Sequence, residues 1–376
     1  MAVSEAELGV TARAHDEPRL RVLHLIIVLG ETNSQYNEHC LPVRGSRDLA
    51  ICTYFPPQLE APAEIAVYAG DGTLRGFFDA LEAALEAQEY DVVHAHAPQT
   101  GALLAFALAI RPRHWRLRRK LVYTVHDSYQ DYKPRNKLLM LPALAASRRV
   151  MFCGHAAYES YPTLWKRLVG ARSRIVQNAA DLDRVARAIA GRERPRQPGF
   201  HVLSIGRLET VKDPMTLLEA FRRTADGDVR LTFVGVGALR DELAAAIAAA
   251  ELDDRVELTG LIPREDVFVR CFEADLLVST SLGEGLPVAV IEAMATGCPV
   301  VLSDIPPHRE VTEGLDVVPF VREGDVVGFA REINRFRVMP DDERRAIGLQ
   351  GQALVRARFG LPTMHAGIEK VYRELL

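Results

Sequence analysis

The sequence predicts an α/β protein built of two doubly wound parallel-sheet domains that face each other across a cleft. Three observations predict it. Short β-branched runs alternate with longer alanine- and leucine-rich segments, the rhythm of strand–helix–strand units. The length, 376 residues, exceeds what one hydrophobic core usually organises. The rhythm also stops at "GRERPRQPGF" (191–200), a charged stretch with two prolines and two glycines, and then begins again.

In the first half the strand candidates are 21–29, 48–55, 64–69, 90–96, 120–127, 149–154 and 174–179, with helical stretches such as 73–88 and 98–110 between them. After the linker the candidates are 201–208, 229–237, 256–260, 276–281, 299–304 and 316–321. These alternate with helices near 214–225, 238–250, 264–274 and 287–297, and helical segments at about 341–358 and 362–376 end the chain. The expected division is a polar tail at 1–19, a first domain at 20–190, the linker at 191–200 and a second domain at 201–360. A last helix at 361–376 is free to cross back onto the first domain.

Hydrophobic residues at 48% and charged residues at 26% exclude a disordered or fibrous chain. The strongest apolar runs, 23–29 and 103–110, are too short for a bilayer, which takes about 20 residues. The first 19 residues lack the apolar core of a secretion signal. Five scattered cysteines without a C-x-x-C pair suit a reducing cytoplasm and do not suit zinc. The net charge of −4 is unevenly placed, because residues 101–180 carry 15 basic and 3 acidic side chains. Within that block "RPRHWRLRRK" (111–120) is a candidate contact for a membrane surface, a phosphorylated acceptor or nucleic acid, although no nucleic-acid partner is expected. The simpler reading is a solvated connection between a helix and a strand.

In open parallel sheets ligands gather beyond the carboxyl ends of the strands. The strand at 276–281 runs into "LGEG" and a helix opened by Pro287, which needs no N–H at that position. The free amides of Gly285, Leu286 and the following turn, with the helix dipole, form an anion site suited to a diphosphate. Glu292 lies on that helix, roughly 7 to 8 Å along its axis at 1.5 Å per residue. It is therefore placed to accept the hydroxyls of a ribose. Glu284 precedes the helix and faces the cleft, where it can meet a sugar. A glycosidase-like acid and base pair made of these two carboxylates is disfavoured, because a loop residue and one deep in the next helix converge poorly on one bond. Arg207 and Lys212 follow another strand end and would neutralise the diphosphate as it leaves. Gly235 lies in a further strand-to-helix turn, and the loop around Ile262 offers backbone to a base edge.

These stretches, "GRLETVK", "FVGVGALRDEL", "VELTGLIPREDV" and above all "SLGEGLPVAVIEAMATGCPVV", resemble the nucleotide-binding half of a retaining glycosyltransferase of the GT-B fold, family 4. "YDVVHAHAPQTGALLA", "LVYTVHDS" and "RIVQNAADLDRV" extend the resemblance to residues 20–376. It implies that the first domain binds the acceptor and the second a UDP- or GDP-type sugar. Arg207 and Lys212 would hold the diphosphate, Glu292 the ribose and Glu284 the transferred sugar. His126 would lie near the reacting centre. Of His94 and His96, at most one is expected to face the cleft. The first loop departs from the family's paired glycines and reads "LGETNSQYNEHC", which suggests an acceptor pocket of Glu31, Asn33, Gln35, Tyr36 and His39; this polar loop suits a small soluble metabolite, whereas the basic block suits a lipid or phosphorylated acceptor. "DLD" (181–183) has the form of a metal motif from a different transferase fold, but its place at a domain crossing argues for coincidence. Neither a metal nor a cofactor is expected.

Rivals are an epimerase or hydrolase of nucleotide sugars, a pseudo-glycosyltransferase and a non-catalytic nucleotide-sugar sensor. A dehydrogenase is disfavoured, since no G-x-G-x-x-G follows the first strand.

Overall fold

A computed structural model describes residues 19–194, 199–224 and 228–376. Residues 1–18 of the expected tail and 195–198 of the expected linker lie outside it. The first sheet holds β1 (Arg21–Ile26), β2 (Asp48–Thr53), β3 (Ile65–Ala69), β4 (Val92–Ala95), β5 (Leu121–Val125), β6 (Arg149–Phe152) and β7 (Ser173–Ile175). All its pairs are parallel, in the order β3-β2-β1-β4-β5-β6-β7. The second sheet holds β8 (Phe200–Ile205), β9 (Val229–Val234), β10 (Val256–Gly260), β11 (Leu276–Ser279), β12 (Val300–Ser303) and β13 (Phe320–Val321). It too is parallel, in the order β10-β9-β8-β11-β12-β13.

Strand order reverses between β1 and β4 and again between β8 and β11, and those are the points where an open sheet leaves a crevice. The strands are shorter than their apolar runs. Strand β9 stops at Val234 because Gly235 has φ +140°, a conformation few other residues adopt. The run at 316–321 yields only the two-residue β13. A helix at Val326–Val338, absent from the expected elements, covers the second sheet instead, burying Phe329, Ile333 and Phe336.

Helix starts are fixed locally. Thr73 caps Leu74–Ala87 by accepting from the Gly76 amide, and Asp213, at φ +47°, caps Pro214–Arg222 from the left-handed region. That second cap also ends the turn carrying Lys212, and Thr280 Oγ1 clamps it by donating to the Lys212 and Asp213 carbonyls. The sequence of Lys212 is thus tied to the end of β11.

The chain passes between domains at two adjacent places, where Ala180 and Gly360 form a parallel bridge and the Ala180 amide bonds to the Phe359 carbonyl. Beyond the second crossing, Leu361–Arg373 lays Leu361, Met364, Ile368, Val371 and Tyr372 against Val22, Ile51, Val122 and Met151 of the first sheet. Burying each such side chain stabilises by about 1.5 to 3 kcal/mol, so this helix ties the two domains together. Among the described residues no helix is long and apolar enough to cross a membrane.

Candidate functional site

The loops after β1, β4, β5 and β8 converge. A cavity of about 360 Å³ is lined by Asn33, Gln35, His96, His126, Asp127 and Arg207, among others. A smaller one of about 80 Å³ adjoins the start of the helix Val288–Ala295 and is lined by Gly206, Lys212, Glu284 and Pro287–Val290. Pro287 is the residue before that helix and its carbonyl accepts from Val290 and Ile291, while no side chain caps the end. Lys212 therefore stands at an uncapped helix start, and Arg207 is exposed and lines the larger cavity.

Lys212 pairs with Glu284, whose Oε1 also accepts from Ser281 Oγ at 2.8 Å. Burial alone would raise the Glu284 pKa, but Lys212, His308 and the hydrogen bonds from Lys212 and Ser281 outweigh it, so Glu284 titrates low. The loop bearing it presses on the first domain. Ser128 Oγ donates to the Glu284 carbonyl at 2.6 Å. A Cβ on Gly285 would lie 1.8 Å from the His126 carbonyl, and one on Gly283 would lie 1.9 Å from Asp131 Oδ1. The two glycines of "GEG" thus permit contact between the domains. Leu286 is buried in the second domain's core.

Glu292 is held differently. It is buried, and Arg264 Nη2 bonds both to Glu292 and, at 2.9 Å, to Glu38 of the first domain. Burial dominates here, with Arg264 opposing it: Glu38 is pushed up to about 8 and Glu292 is raised as well. Two carboxylates share one guanidinium in a place poor in water.

His126 is kept neutral by burial, its pKa lowered to about 4. It belongs to a chain of imidazoles, His126 Nε2 to His96 Nδ1 at 3.1 Å and His96 Nε2 to His24 Nδ1 at 2.9 Å. His94 lies below, bonded to Tyr372 and Thr124, both at 2.6 Å. The expectation that at most one of His94 and His96 faces the cleft is corrected in its reasoning. Residues two apart on a strand share a face, and the two rings lie 4.0 Å apart on the same side. His96 lines the cavity because it stands past the end of β4. His24, His94 and His96 offer nitrogens within 4.8 Å of one another and could hold a metal by donor type, but both His94 nitrogens are already committed.

The first-loop residues are not brought together. Asn33 and Gln35 line the cleft cavity, whereas Glu31 and Tyr36 line a separate hollow of about 700 Å³ with Arg184 and Arg264. His39 is buried, edge-on to His96 and His126. The reason is a wide helical turn, Gln35–Cys40, which fans successive side chains in different directions where a loop was expected. Gly235 lines neither cleft cavity; a Cβ there would lie 2.1 Å from the Gly206 carbonyl, so its role is to let the Arg207 loop pack. Ile262 is half-buried against the second core. Asp181 of "DLD" caps Leu182–Ile189 by accepting from the Arg184 amide at 2.8 Å.

Sequence reading missed Asp127, Asp131, Ser128, Glu38 and Arg264. Asp127 and Ser128 lie inside the quoted "TVHDS" and Arg264 inside "LIPRED", so proximity to a motif was an available signal. Asp131 is raised to about 7, chiefly by burial and then by the charges of Asp127 and Glu284. Nothing local marks Glu38, whose partner is 226 residues away.

Comparison with known proteins follows the same outline. Residues 188–352 match the family model "Glycosyl transferases group 1", and residues 56–184 match "Glycosyltransferase Family 4". The amylovoran biosynthesis glycosyltransferase AmsK of Erwinia amylovora is 38% identical over 30% of this chain, and the match spans only 30% of that relative's length. The GDP-mannose:cellobiosyl-diphosphopolyprenol alpha-mannosyltransferase of Xanthomonas campestris is 26% identical over 71% of this chain and 67% of its own. Among solved structures, Anabaena HepE with UDP and glucose superposes with a TM-score of 0.73 at 20% identity, covering 94% of this chain and 99% of that one. Sucrose-phosphate synthase from Thermosynechococcus elongatus does so with a TM-score of 0.77, also at 20% identity, over 95% and 99%. These likenesses establish the fold as GT-B.

Proposed function

We propose, from the premise that this chain belongs to the group 1, family 4 glycosyltransferases, that it moves a sugar from a nucleoside diphosphate to an acceptor held in the 360 Å³ cavity. The transfer retains configuration at the anomeric carbon and uses no metal. One observation carries the reading: Lys212 lines the cavity at the uncapped start of Val288–Ala295, shares a small pocket with Arg207, and Arg207 in turn lines the larger cavity beside His126. Names of relatives and neighbours that include GDP-mannose, UDP-Gal and UDP-glucose support the donor class.

In this mechanism the diphosphate sits on the helix amides and shares Lys212, which frees the Glu284 carboxylate to turn toward the sugar's hydroxyls. Arg207 and Lys212 stabilise the charge that grows as the bond from the anomeric carbon to the diphosphate breaks. The acceptor oxygen bonds to that carbon on the same face, and its proton passes to the departing diphosphate. His126, neutral across ordinary pH, positions the reacting centre by hydrogen bonding and not by charge. Packing of the "GEG" loop on the first domain excludes water. Glu292 reaches a ribose only by exchanging part of its contact with Arg264.

The cavity's rim includes Lys133 and Arg135, which favours an acceptor carrying phosphate. Three relatives are named for diphosphate-linked polyprenol acceptors. Five free, buried cysteines support a reducing, cytoplasmic setting. The decisive measurement is turnover of Arg207→Ala: a loss of at least about a hundredfold is expected, or about 2.7 to 4 kcal/mol, with the fold retained. Full activity in that variant would refute the assignment. Thermal shifts with UDP and GDP identify the nucleotide, because a ligand stabilises by mass action.

A further inference from the structure

The basic block at 101–180 is absorbed only in part by the site. Its three acidic residues are all accounted for: Asp127 and Asp131 line the cleft cavity, and Glu159 pairs with Lys166. Part of the positive charge is structural as well. Arg111, Arg113 and His114 converge on Glu82, Lys120 donates to the Tyr90 carbonyl, and Arg149 and Arg174 hold Glu374. What remains is a set of exposed cations, Arg116, Arg119, Lys133, Arg135, Arg148 and Arg167, that form no ion pair among the described residues.

The same stretch carries an unusual share of exposed apolar side chains. Leu138 is 68% exposed and Leu164 76%, and Leu141, Leu168, Phe106, Ile110 and Trp115 are exposed with them. They belong to Pro98–Ile110, Pro134–Ala146, Thr163–Val169 and the segment Pro112–Lys120. The inner sides of the three helices bury Leu104, Met140, Leu144 and Val169 in one core over the first sheet, so their outer sides form a single layer. Leu138 and Leu141, and likewise Leu164 and Leu168, recur at helical spacing, with Arg135 and Arg167 beside them. The layer reaches the cleft, since Gln99, Lys133, Arg135 and Asn136, at the first turns of two of these helices, line the cavity.

We infer that this helix layer docks on an anionic lipid bilayer, with leucines and Trp115 entering the interface and the arginines meeting lipid phosphates. Exposed leucines favour a bilayer over nucleic acid, which offers phosphates and bases to cations and stacking aromatics but nothing to a row of aliphatic side chains. Unbalanced cations favour anionic over neutral lipid, and each contributes by complementing the surface potential. A face that ends at the cavity rim would deliver a membrane-borne, phosphate-bearing acceptor to Lys133 and Arg135. The delivery step rests on the transfer reading; the docking does not.

The test is co-sedimentation of the full chain, without nucleotide, with phosphatidylcholine vesicles and with vesicles containing phosphatidylglycerol. Binding is expected only to the latter and should weaken in high salt. Arg116→Ser, Arg148→Ser and Arg167→Ser together should weaken it by well over tenfold, at about fivefold per cation. Leu138→Ser with Leu164→Ser should weaken it with the charges intact. A second readout leaves the cations and leucines of the layer in place: in Trp165→Phe, brominated lipid should quench Trp115. Absence of binding to either vesicle, equal binding to both, binding unmoved by these substitutions, or retention on an RNA oligomer in place of vesicles overturns the inference. Failure of Arg207→Ala to lose turnover, by contrast, strikes the transfer reading and leaves docking standing.

Discussion

Glu284 and Glu292 stand eight residues apart and both lie in buried surroundings, yet their pKa values shift in opposite directions. Glu284 has a lysine and a serine of its own domain as side-chain partners, and its backbone carbonyl accepts from Ser128 of the other domain. Its pKa falls, and its partner Lys212 faces a cavity that can admit an anion. Glu292 shares Arg264 with Glu38 across the domain boundary; it is raised, and its cluster lies off the wall of the cleft cavity. On the proposed transfer reading the first carboxylate can exchange partners when a diphosphate claims Lys212, whereas the second ties the domains through a guanidinium that it shares with Glu38.

The strongest way to break this comparison is Lys212→Ala. It should lower turnover by a hundredfold or more, about 2 to 4 kcal/mol of transition-state stabilisation, and also lower the melting temperature, because Glu284 is left without its cation; Glu284→Gln in the same chain should recover stability but not turnover, and recovery of both would erase the distinction. Next comes Arg264→Met, which leaves two carboxylates buried without a cation. Breaking a buried pair in this way costs about 3 to 5 kcal/mol, so the melting temperature should fall by several degrees, and Glu38→Gln in the same chain should recover part of it.

A pH series sharpens the contrast. Glu38, raised from the ordinary range to about 8, binds its proton more tightly folded than unfolded, so its contribution is full below about pH 4.5 and is lost as pH rises toward 8. Between pH 5 and 8 the wild type should lose stability relative to Glu38→Gln; parallel curves would count against the shared guanidinium. The imidazole cluster works the other way. His24 is lowered to about 3 and His126 to about 4, and His39, His94 and His96 are also lowered, all chiefly by burial. Unfolding below pH 6.5 therefore takes up protons, and stability should fall steeply from pH 6.5 toward 4. His24→Phe should flatten that slope. The smallest effect expected is for Ser128→Ala, which removes one interdomain hydrogen bond worth about 1 kcal/mol and should raise KM for donor more than it lowers kcat.

Much of the fold was legible because a parallel sheet covered on both faces makes its strands near-continuous apolar runs. Eleven of the thirteen strands among the described residues lie within the runs that β-branched residues mark, and Ser173–Ile175 and Phe200–Ile205 each begin one residue earlier. The site was legible where chemistry is local: Lys212 and Glu284 belong to loops whose glycines, prolines and caps are visible in the sequence. The first loop failed because "NSQYNEHC" carries no periodicity that distinguishes a wide helical turn from a coil. Of His94 and His96 only His96 lines the cleft cavity, but because it stands past the end of its strand and not because the two alternate.

The sequence by itself determined the strand and helix alternation, the restart after residue 200 and the cations and carboxylates at the strand ends, because these follow from periodicity and from backbone preferences acting over a few residues. Only the tertiary structure decided which charges meet. Arg264 finds Glu38, the Glu284 backbone finds Ser128 and Tyr372 finds His94 across separations of 226, 156 and 278 residues. Such pairings depend on how the two open sheets and their covering helices are set against each other, and no short-range rule of hydrophobic pattern or turn chemistry carries that information.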